Sequence, residues 1–173
     1  RMKSLQTKKL VLAGLLTAVA VVGSLFSFPI LGSKCSPVQH MVNILCAVFL
    51  GPGYGVASAF LASLLRNLTG LGSLLAFPGS MVGALCCGLM YKKTGNLLAT
   101  LCGEVIGTGI LGGLCAWPMA ILFMGQSAAS VPVTAYVVPF LVSTMGGAVI
   151  AGVVLYTMKN GGVLGTMQHQ LEQ

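Results

Sequence analysis

Long stretches of apolar residues dominate the chain, and short polar segments separate them. Six such stretches predict helices over residues 10–28, 39–50, 53–66, 74–91, 97–119 and 132–158, followed by a polar tail over 160–173. The longest stretches reach the ~20 residues that a helix needs to cross a bilayer. Small residues recur at helical spacing, as in Gly79-xxx-Gly83, which is typical of helices that pack closely in lipid. The pattern predicts an all-α integral membrane protein with one domain of six transmembrane helices.

The second and third stretches meet at Gly51-Pro52-Gly53, which allows either one long bent helix or two helices joined by a turn. Charge placement favours the break. With a break, the N-terminal lysines, Lys92-Lys93 and Lys159 fall on one side of the membrane. Lys34 and Arg66 then fall on the other side. Because positive charge concentrates on the cytoplasmic side of membrane proteins, we expect both termini in the cytoplasm and Arg66 near the outer face.

Composition supports a membrane protein and argues against nucleic acid, a metal or a cofactor as its ligand. Hydrophobic residues make up 56% of the chain and charged residues 6%, and the mean hydropathy is +0.97. Most of the net charge of +7 lies beside apolar stretches, which indicates topology signals rather than nucleic-acid binding. The six cysteines form no CxxC pair, so we expect small core residues and neither a metal nor a cofactor. The first apolar stretch lacks a clear A-x-A cleavage site, so we expect a retained helix rather than a cleaved signal peptide.

Few residues of the chain are suited to chemistry. The sequence contains no G-x-x-x-x-G-K-[ST], H-E-x-x-H or G-x-S-x-G motif. We therefore expect neither ATPase activity nor any other enzymatic activity. Glu104 is the one acid within an apolar stretch. A carboxylate in lipid is costly and usually functional, although a hydrogen-bonded structural acid between helices gives the same pattern. A proton-coupled carrier needs only one such carboxylate, so that function stays open.

Under the predicted orientation, polar and aromatic residues from several helices gather in the outer half of the bundle. The candidate substrate-binding residues are Asn43, Arg66, Asn67, Phe77, Ser80, Glu104, Trp117 and Tyr136. Buried amides and a guanidinium need partners, which suggests a pocket open to the outside. Trp117 and Tyr136 equally fit an interfacial aromatic belt. His40 lies nearby and fits either the pocket or a solvated loop.

Residues 40–96 resemble the signature region of the ThiW family. The segments that carry the resemblance are MVN (41–43), LGPGYG (50–55), LLRNLTG (64–70) and LLAFPGSMVGAL (74–85). Members of this family are the substrate-binding S components of energy-coupling-factor (ECF) vitamin transporters associated with thiamine-precursor uptake. The strong part of the resemblance covers about a third of the chain.

The resemblance implies a six-helix S component in the cell membrane of a prokaryote, which captures its substrate near the outer face. The implied partners are a transmembrane coupling protein and two cytoplasmic ATPase subunits that supply the energy. The implied substrate is hydroxyethylthiazole, the thiazole moiety of thiamine, whose flat ring and hydroxyl arm suit aromatic and hydrogen-bonding side chains. Arg66 also suits a phosphorylated or carboxylated ligand.

The first helix carries a face of small residues, Gly14 and Ala18, which fits either packing within the bundle or contact with a partner. S components carry an Ala-xxx-Ala motif there that contacts the coupling protein. Gly14-xxx-Ala18 takes this place, so the resemblance favours a partner surface. A proton-coupled secondary carrier that uses Glu104 and a non-transporting membrane scaffold remain the alternatives.

Overall fold

Helices form most of the structure, as the long apolar stretches predict. The computed structural model describes residues 2–31 and 33–172. Six of the helices are α1 Met2–Gly23, α2 Pro37–Phe49, α3 Pro52–Leu68, α4 Ala76–Thr94, α6 Val137–Asn160 and α7 Val163–Gln170. Helix α5 runs continuously through Leu97–Glu104, a π-helical segment Val105–Gly112, and Gly113–Phe123. A 3-10 turn, Ser24–Phe26, and an antiparallel hairpin of β1 Phe28–Ile30 and β2 Ser33–Cys35 connect α1 to α2.

The all-α prediction is confirmed, and the structure adds two elements to it. The region before residue 39, predicted as a loop, contains the hairpin, in which Phe28 pairs with Cys35 and Ile30 with Ser33. The predicted polar tail contains helix α7. Helix α1 begins at Met2 and ends at Gly23 rather than spanning 10–28, because the basic N-terminal segment continues the helix.

Local chemistry explains where the helices end. The chain breaks between α2 and α3 at Gly51, whose φ of 91° is readily available to glycine, and Pro52 follows in the first turn of α3. Asn96 begins α5, because its side chain accepts hydrogen bonds from the backbone N–H groups of Leu98 and Ala99. These local signals set the register of the helices that build the site.

Many small and polar side chains lie in the interior of the bundle beside aliphatic ones such as Ile44 and Leu155, and many large aliphatic side chains face outward. On α1, for example, Ala13, Thr17 and Ala20 are buried while Leu15 and Val22 are exposed. A soluble protein shows the reverse distribution. Helices α4 and α5 approach so closely that a Cβ atom built on Gly112 would lie 2.7 Å from Gly79 Cα. This packing is typical of helices in lipid, where small residues let backbones meet.

Three helical stretches are long and apolar enough to cross a membrane: Met2–Phe26, Leu97–Met124 and Val137–Asn160, while Pro37–Phe49 is a shorter apolar helix. Crossing by all six predicted helices stays a prediction. At one end of the bundle, α7 covers the ends of α2 and α4, since Gln168 Nε2 donates hydrogen bonds to Val48 O at 3.1 Å and Tyr91 Oη at 2.7 Å. The hairpin directly precedes α2 and therefore lies near the opposite end of that helix.

Candidate functional site

A fully buried carboxylate, Glu104, lies at the centre of a polar network inside the bundle. His40 and Asn43 lie one turn apart on α2, and Glu104 and Thr108 lie one turn apart on α5, so each helix presents two polar side chains on one face. Glu104 Oε1 lies 3.0 Å from His40 Nδ1 and accepts hydrogen bonds from Asn43 Nδ2 at 3.1 Å. Thr108 Oγ1 donates to the same oxygen at 2.8 Å. Two donated hydrogen bonds and the contact with His40 around one oxygen offset the cost of burying the carboxylate.

Further hydrogen bonds tie this network to the backbone of α4. Asn43 Nδ2 also donates to Ser80 O at 3.1 Å, and Thr108 Oγ1 lies 3.2 Å from Gly79 O. Gln39 Nε2 donates to Asn43 Oδ1 at 3.3 Å, which fixes the orientation of the Asn43 amide. The network therefore joins α2, α4 and α5 at one level of the bundle.

Gly83 provides the space in which the Glu104 and Thr108 side chains lie. A Cβ atom at this position would come within 1.8 Å of Thr108 Oγ1 and 2.9 Å of each Glu104 carboxylate oxygen. The second oxygen, Glu104 Oε2, is buried and has no hydrogen-bond partner among the described residues. The π-helical segment begins directly after Glu104, and such segments are frequent at functional sites.

A narrow, partly open cavity adjoins the network, because His40 and Thr108 belong to both. The centre of a water molecule has about 30 Å³ in which to move inside it. Hydroxyl groups dominate the lining, and they come from Ser33, Ser36, Ser73, Ser80, Thr108 and Ser143. Lys34, His40 and Arg66 supply the ionisable groups, and Phe140 supplies an aromatic ring. Enough room for one water is present, so a ring-sized ligand requires the lining side chains to move apart.

Arg66 is the most unusual residue of the cavity. Its side chain is 3% exposed, and its Nε is buried without a hydrogen-bond partner in the described part of the chain. The ion-pair contact found between described residues joins His40 to Glu104, not Arg66 to an acid. A buried, unpaired guanidinium is energetically costly, which favours a functional role.

The hairpin forms one wall of the cavity and is attached to α6. Cys35 Sγ donates to Pro139 O at 3.2 Å, and the Ser36 backbone N–H donates to Ser143 Oγ at 2.8 Å. Burial raises the pKa of the Cys35 thiol, so this side chain stays a neutral donor. Lys34, by contrast, is exposed, and its Nζ donates to Gly70 O at 3.3 Å. This last bond links the hairpin to the turn between α3 and α4.

The structure brings four of the predicted substrate-binding residues together. Arg66 and Ser80 line the cavity, and Asn43 and Glu104 belong to the network beside it. Asn67 lies outside the cavity lining, because its amide donates to Ser63 O at 2.8 Å and Ser73 O at 3.0 Å. It therefore fixes the turn that follows α3.

The three predicted aromatic contacts also lie outside the lining. Phe77 packs against Phe60, with ring centroids 5.7 Å apart and planes inclined by 54°. Trp117 Nε1 donates to Val131 O at 2.7 Å, and Trp117 packs in one cluster with the buried Tyr136 and Phe140. Trp117 and Tyr136 thus support Phe140, which does line the cavity. Direct ligand contact by Asn67, Phe77, Trp117 or Tyr136 stays a prediction.

Several lining residues were not among the predicted site residues. Thr108 lies four residues after Glu104 in an apolar helix, and that spacing was a usable signal. Ser143 and Phe140 lie on α6, where nothing in the apolar pattern distinguishes them from packing residues. Ser33 and Ser36 reach the cavity through the hairpin, which was not predicted.

Gly14 and Ala18 are both exposed on the outer face of α1, while Ala13, Leu16 and Thr17 face the bundle. A Cβ atom on Gly14 would meet no atom within 4 Å. These two small residues therefore do not serve packing within the described bundle. In the same described part of the chain, no group of three or more His, Cys, Asp or Glu side chains is placed to hold a metal ion.

Two comparisons with known proteins each find a similarity to transporter proteins. Residues 10–161 match the model of a family described as thiamine-precursor transporter protein (ThiW). Among solved structures, the S component of a bacterial ECF transporter matches with a TM-score of 0.73 and 19% sequence identity, over 90% of this chain and 97% of that chain. At this identity the likeness shows a shared fold. No curated protein sequence matches the chain significantly.

Proposed function

Because the chain belongs to the family of thiamine-precursor transporter proteins (ThiW), we propose that it captures hydroxyethylthiazole as the S component of an ECF importer. The observation that carries this proposal is the hydroxyl-lined cavity beside the buried Glu104 network, in a bundle whose outer face is apolar. Polar groups buried in a membrane bundle mark substrate pathways. A small polar heterocycle is the class of ligand that such a cavity suits.

The groups of the cavity match the chemistry of hydroxyethylthiazole. The ring nitrogen accepts a hydrogen bond, and Ser36 Oγ is a buried hydroxyl that has no partner within residues 2–31 and 33–172. The Phe140 ring offers an apolar face for the thiazole. His40 and Thr108, which both contact Glu104 Oε1, also line the cavity and add polar atoms to it.

The distribution of charge supports the proposed orientation. Lys8 Nζ lies 3.3 Å from Gln170 O, so the basic start of α1 and the end of α7 lie at the same end of the bundle. Arg66 and Lys34 line the cavity. We therefore place both termini in the cytoplasm, the cavity toward the outside, and six helices across the membrane. A membrane-impermeant reagent should modify Lys34 but not Lys159 in intact cells, and the reverse result would overturn the orientation.

Energy for import comes, in this proposal, from partner subunits. Gly14 and Ala18 form an exposed face of small residues on α1, which suits close approach by a helix of a transmembrane coupling protein. Two cytoplasmic ATPase subunits complete the importer. The chain itself carries no nucleotide-binding motif of the P-loop type.

The test is calorimetric titration of the purified protein in detergent with hydroxyethylthiazole, with thiamine and hydroxymethylpyrimidine for comparison. We expect a dissociation constant below about 1 μM for the thiazole, which corresponds to more than about 8 kcal/mol. Glu104→Gln keeps the shape of the side chain but removes the charge that orients His40, and we expect at least a tenfold loss of affinity.

Glu172→Gln is the matched control, because Glu172 is the only other acid of the chain and is exposed just after helix α7. Its affinity should equal that of the wild type. Thermal unfolding of both variants establishes that they are folded. Absence of thiazole binding in a folded wild-type sample would reject the substrate, and equal losses in both variants would reject the role of Glu104.

The proton-coupled carrier is supported by one specific observation, the buried Glu104 with an unpartnered Oε2. Proteoliposomes containing only this chain distinguish the two functions. Uptake that follows an imposed pH gradient and is lost in Glu104→Gln would favour the carrier. Uptake that requires the coupling protein, the ATPases and ATP would favour the S component.

A further inference from the structure

Arg66 forms no ion pair with an acid among the described residues. The chain contains only two acidic side chains, Glu104 and Glu172. Glu104 Oε1 is occupied by His40, Asn43 and Thr108, and Glu172 follows α7 at the other end of the bundle. The Arg66 guanidinium nevertheless lines the cavity, is almost fully buried, and has an unpartnered Nε within the described residues.

The charge of the cavity is therefore positive. Lys34 and Arg66 each contribute one positive charge, and the neighbouring Glu104 contributes one negative charge. The formal net charge of these three side chains is +1. A neutral alcohol leaves this excess uncompensated, and a cation such as the thiazolium ring of thiamine increases it.

We propose that the ligand is captured in an anionic form, with a phosphate monoester or carboxylate at the end of its arm bound by Arg66. This inference rests on the proposed function, since it specifies the substrate class of the same cavity. A guanidinium donates two parallel hydrogen bonds to either oxyanion. A mono- or dianion also neutralises the excess charge of the cavity.

The experiment compares three ligands that differ only in the arm of the thiazole: the alcohol, its phosphate monoester, and the acetate in which the arm ends in a carboxylate. Calorimetric titration of the whole protein should give at least about tenfold tighter binding for one or both anions than for the alcohol. The ranking of ester and carboxylate identifies which oxyanion the site takes. Thiamine should bind more weakly than the alcohol.

Arg66→Gln should reduce the ratio of anion to alcohol affinity to about one. Arg66→Lys keeps the charge but loses the two parallel donors, and should retain an intermediate ratio. Lys159→Gln is the matched control, because Lys159 is an exposed cation near the end of α6 and lies outside the cavity lining. Its ratio should stay within about threefold of the wild-type value.

Thermal unfolding gives a second readout, measured first without ligand and then with it. Arg66→Met removes an unpaired buried charge, so the unliganded variant should melt at a higher temperature than the wild type. The anionic ligand should raise the melting temperature of the wild type more than that of Arg66→Gln.

The outcomes separate this inference from the proposed function. Binding of the alcohol with equal or weaker binding of both anions would overturn the anionic form and leave the proposed function standing. An anion preference that persists in Arg66→Gln would overturn the assignment to Arg66. Failure of all three thiazoles to bind a folded wild-type sample would overturn both.

Discussion

Gly83→Ala is the smallest change that should disrupt the Glu104 network. Gly83 lies on the buried face of α4, where its missing side chain leaves room for Thr108 and Glu104. An added methyl group would lie 1.8 Å from Thr108 Oγ1, whereas ordinary contacts of Cβ begin near 3.4 Å. Either α4 and α5 separate by about 1.6 Å, or Thr108 rotates and gives up its hydrogen bond to Glu104.

The loss in the free energy of unfolding can be estimated for both alternatives. Overpacking of a close helix contact costs about 1–3 kcal/mol, and loss of a hydrogen bond to a charged group costs about 1.5–3 kcal/mol. We therefore expect a loss of about 2 kcal/mol in the free energy of unfolding. For a chain of this size that corresponds to a decrease of about 4–8 °C in Tm.

The assay is thermal unfolding in detergent, together with titration of hydroxyethylthiazole. Gly53→Ala is the matched control, because Gly53 is an exposed helical glycine of α3 whose added Cβ meets no atom within 4 Å. Its Tm should stay constant or rise slightly, since alanine favours the helix by about 1 kcal/mol. Equal Tm values and equal affinities for the two variants would refute the assigned role of Gly83.

The remaining predictions concern residues outside the cavity. Asn67→Ala should lower the free energy of unfolding by about 1–2 kcal/mol, because two hydrogen bonds to Ser63 O and Ser73 O are lost. Thermal unfolding measures this loss. The ratio of anion to alcohol affinity should not change. Ala18→Phe should leave thiazole affinity unchanged and abolish co-purification with the coupling protein, because the bulky ring prevents close helix approach. Val153→Phe, at an exposed large residue of α6, is the control. Retained co-purification of Ala18→Phe would reject the proposed surface.

The rarity of charged residues in this chain drew attention to two residues of the candidate site, Glu104 and Arg66. A chain with two acids and nine basic residues makes any ionisable group inside an apolar stretch conspicuous, and Glu104 and Arg66 both prove to be buried at the site. Ser80 was found because the predicted topology places the start of α4 beside the end of α3. These inferences needed only position along the chain and the high cost of burying polar groups in lipid.

Position along the chain does not determine which way a side chain faces. Phe77 and Ser80 lie three residues apart on α4, yet Ser80 lines the cavity while Phe77 packs against Phe60. Asn67 follows Arg66 directly and points into the α3–α4 turn. The hairpin escaped prediction because three-residue strands carry almost no periodic signal, and with it the contributions of Ser33 and Ser36 were missed.

The packing rule of the bundle also explains why the site lies where it does. In lipid, helices are drawn together where small residues let their backbones meet, and α4 and α5 meet at Gly79, Gly83 and Gly112. The same missing side chains leave room beside the contact, and Thr108 and Glu104 occupy it. The missing side chains of these glycines therefore explain both the close helix contact and the position of the polar network. Because the two helices pack so closely there, we expect this wall of the cavity to be rigid. The hairpin and the α3–α4 turn form another wall of the cavity, in which the exposed Lys34 links the two segments through one hydrogen bond to Gly70 O. We therefore expect the ligand-sized opening to form by movement of that wall, while the Glu104 network keeps its geometry.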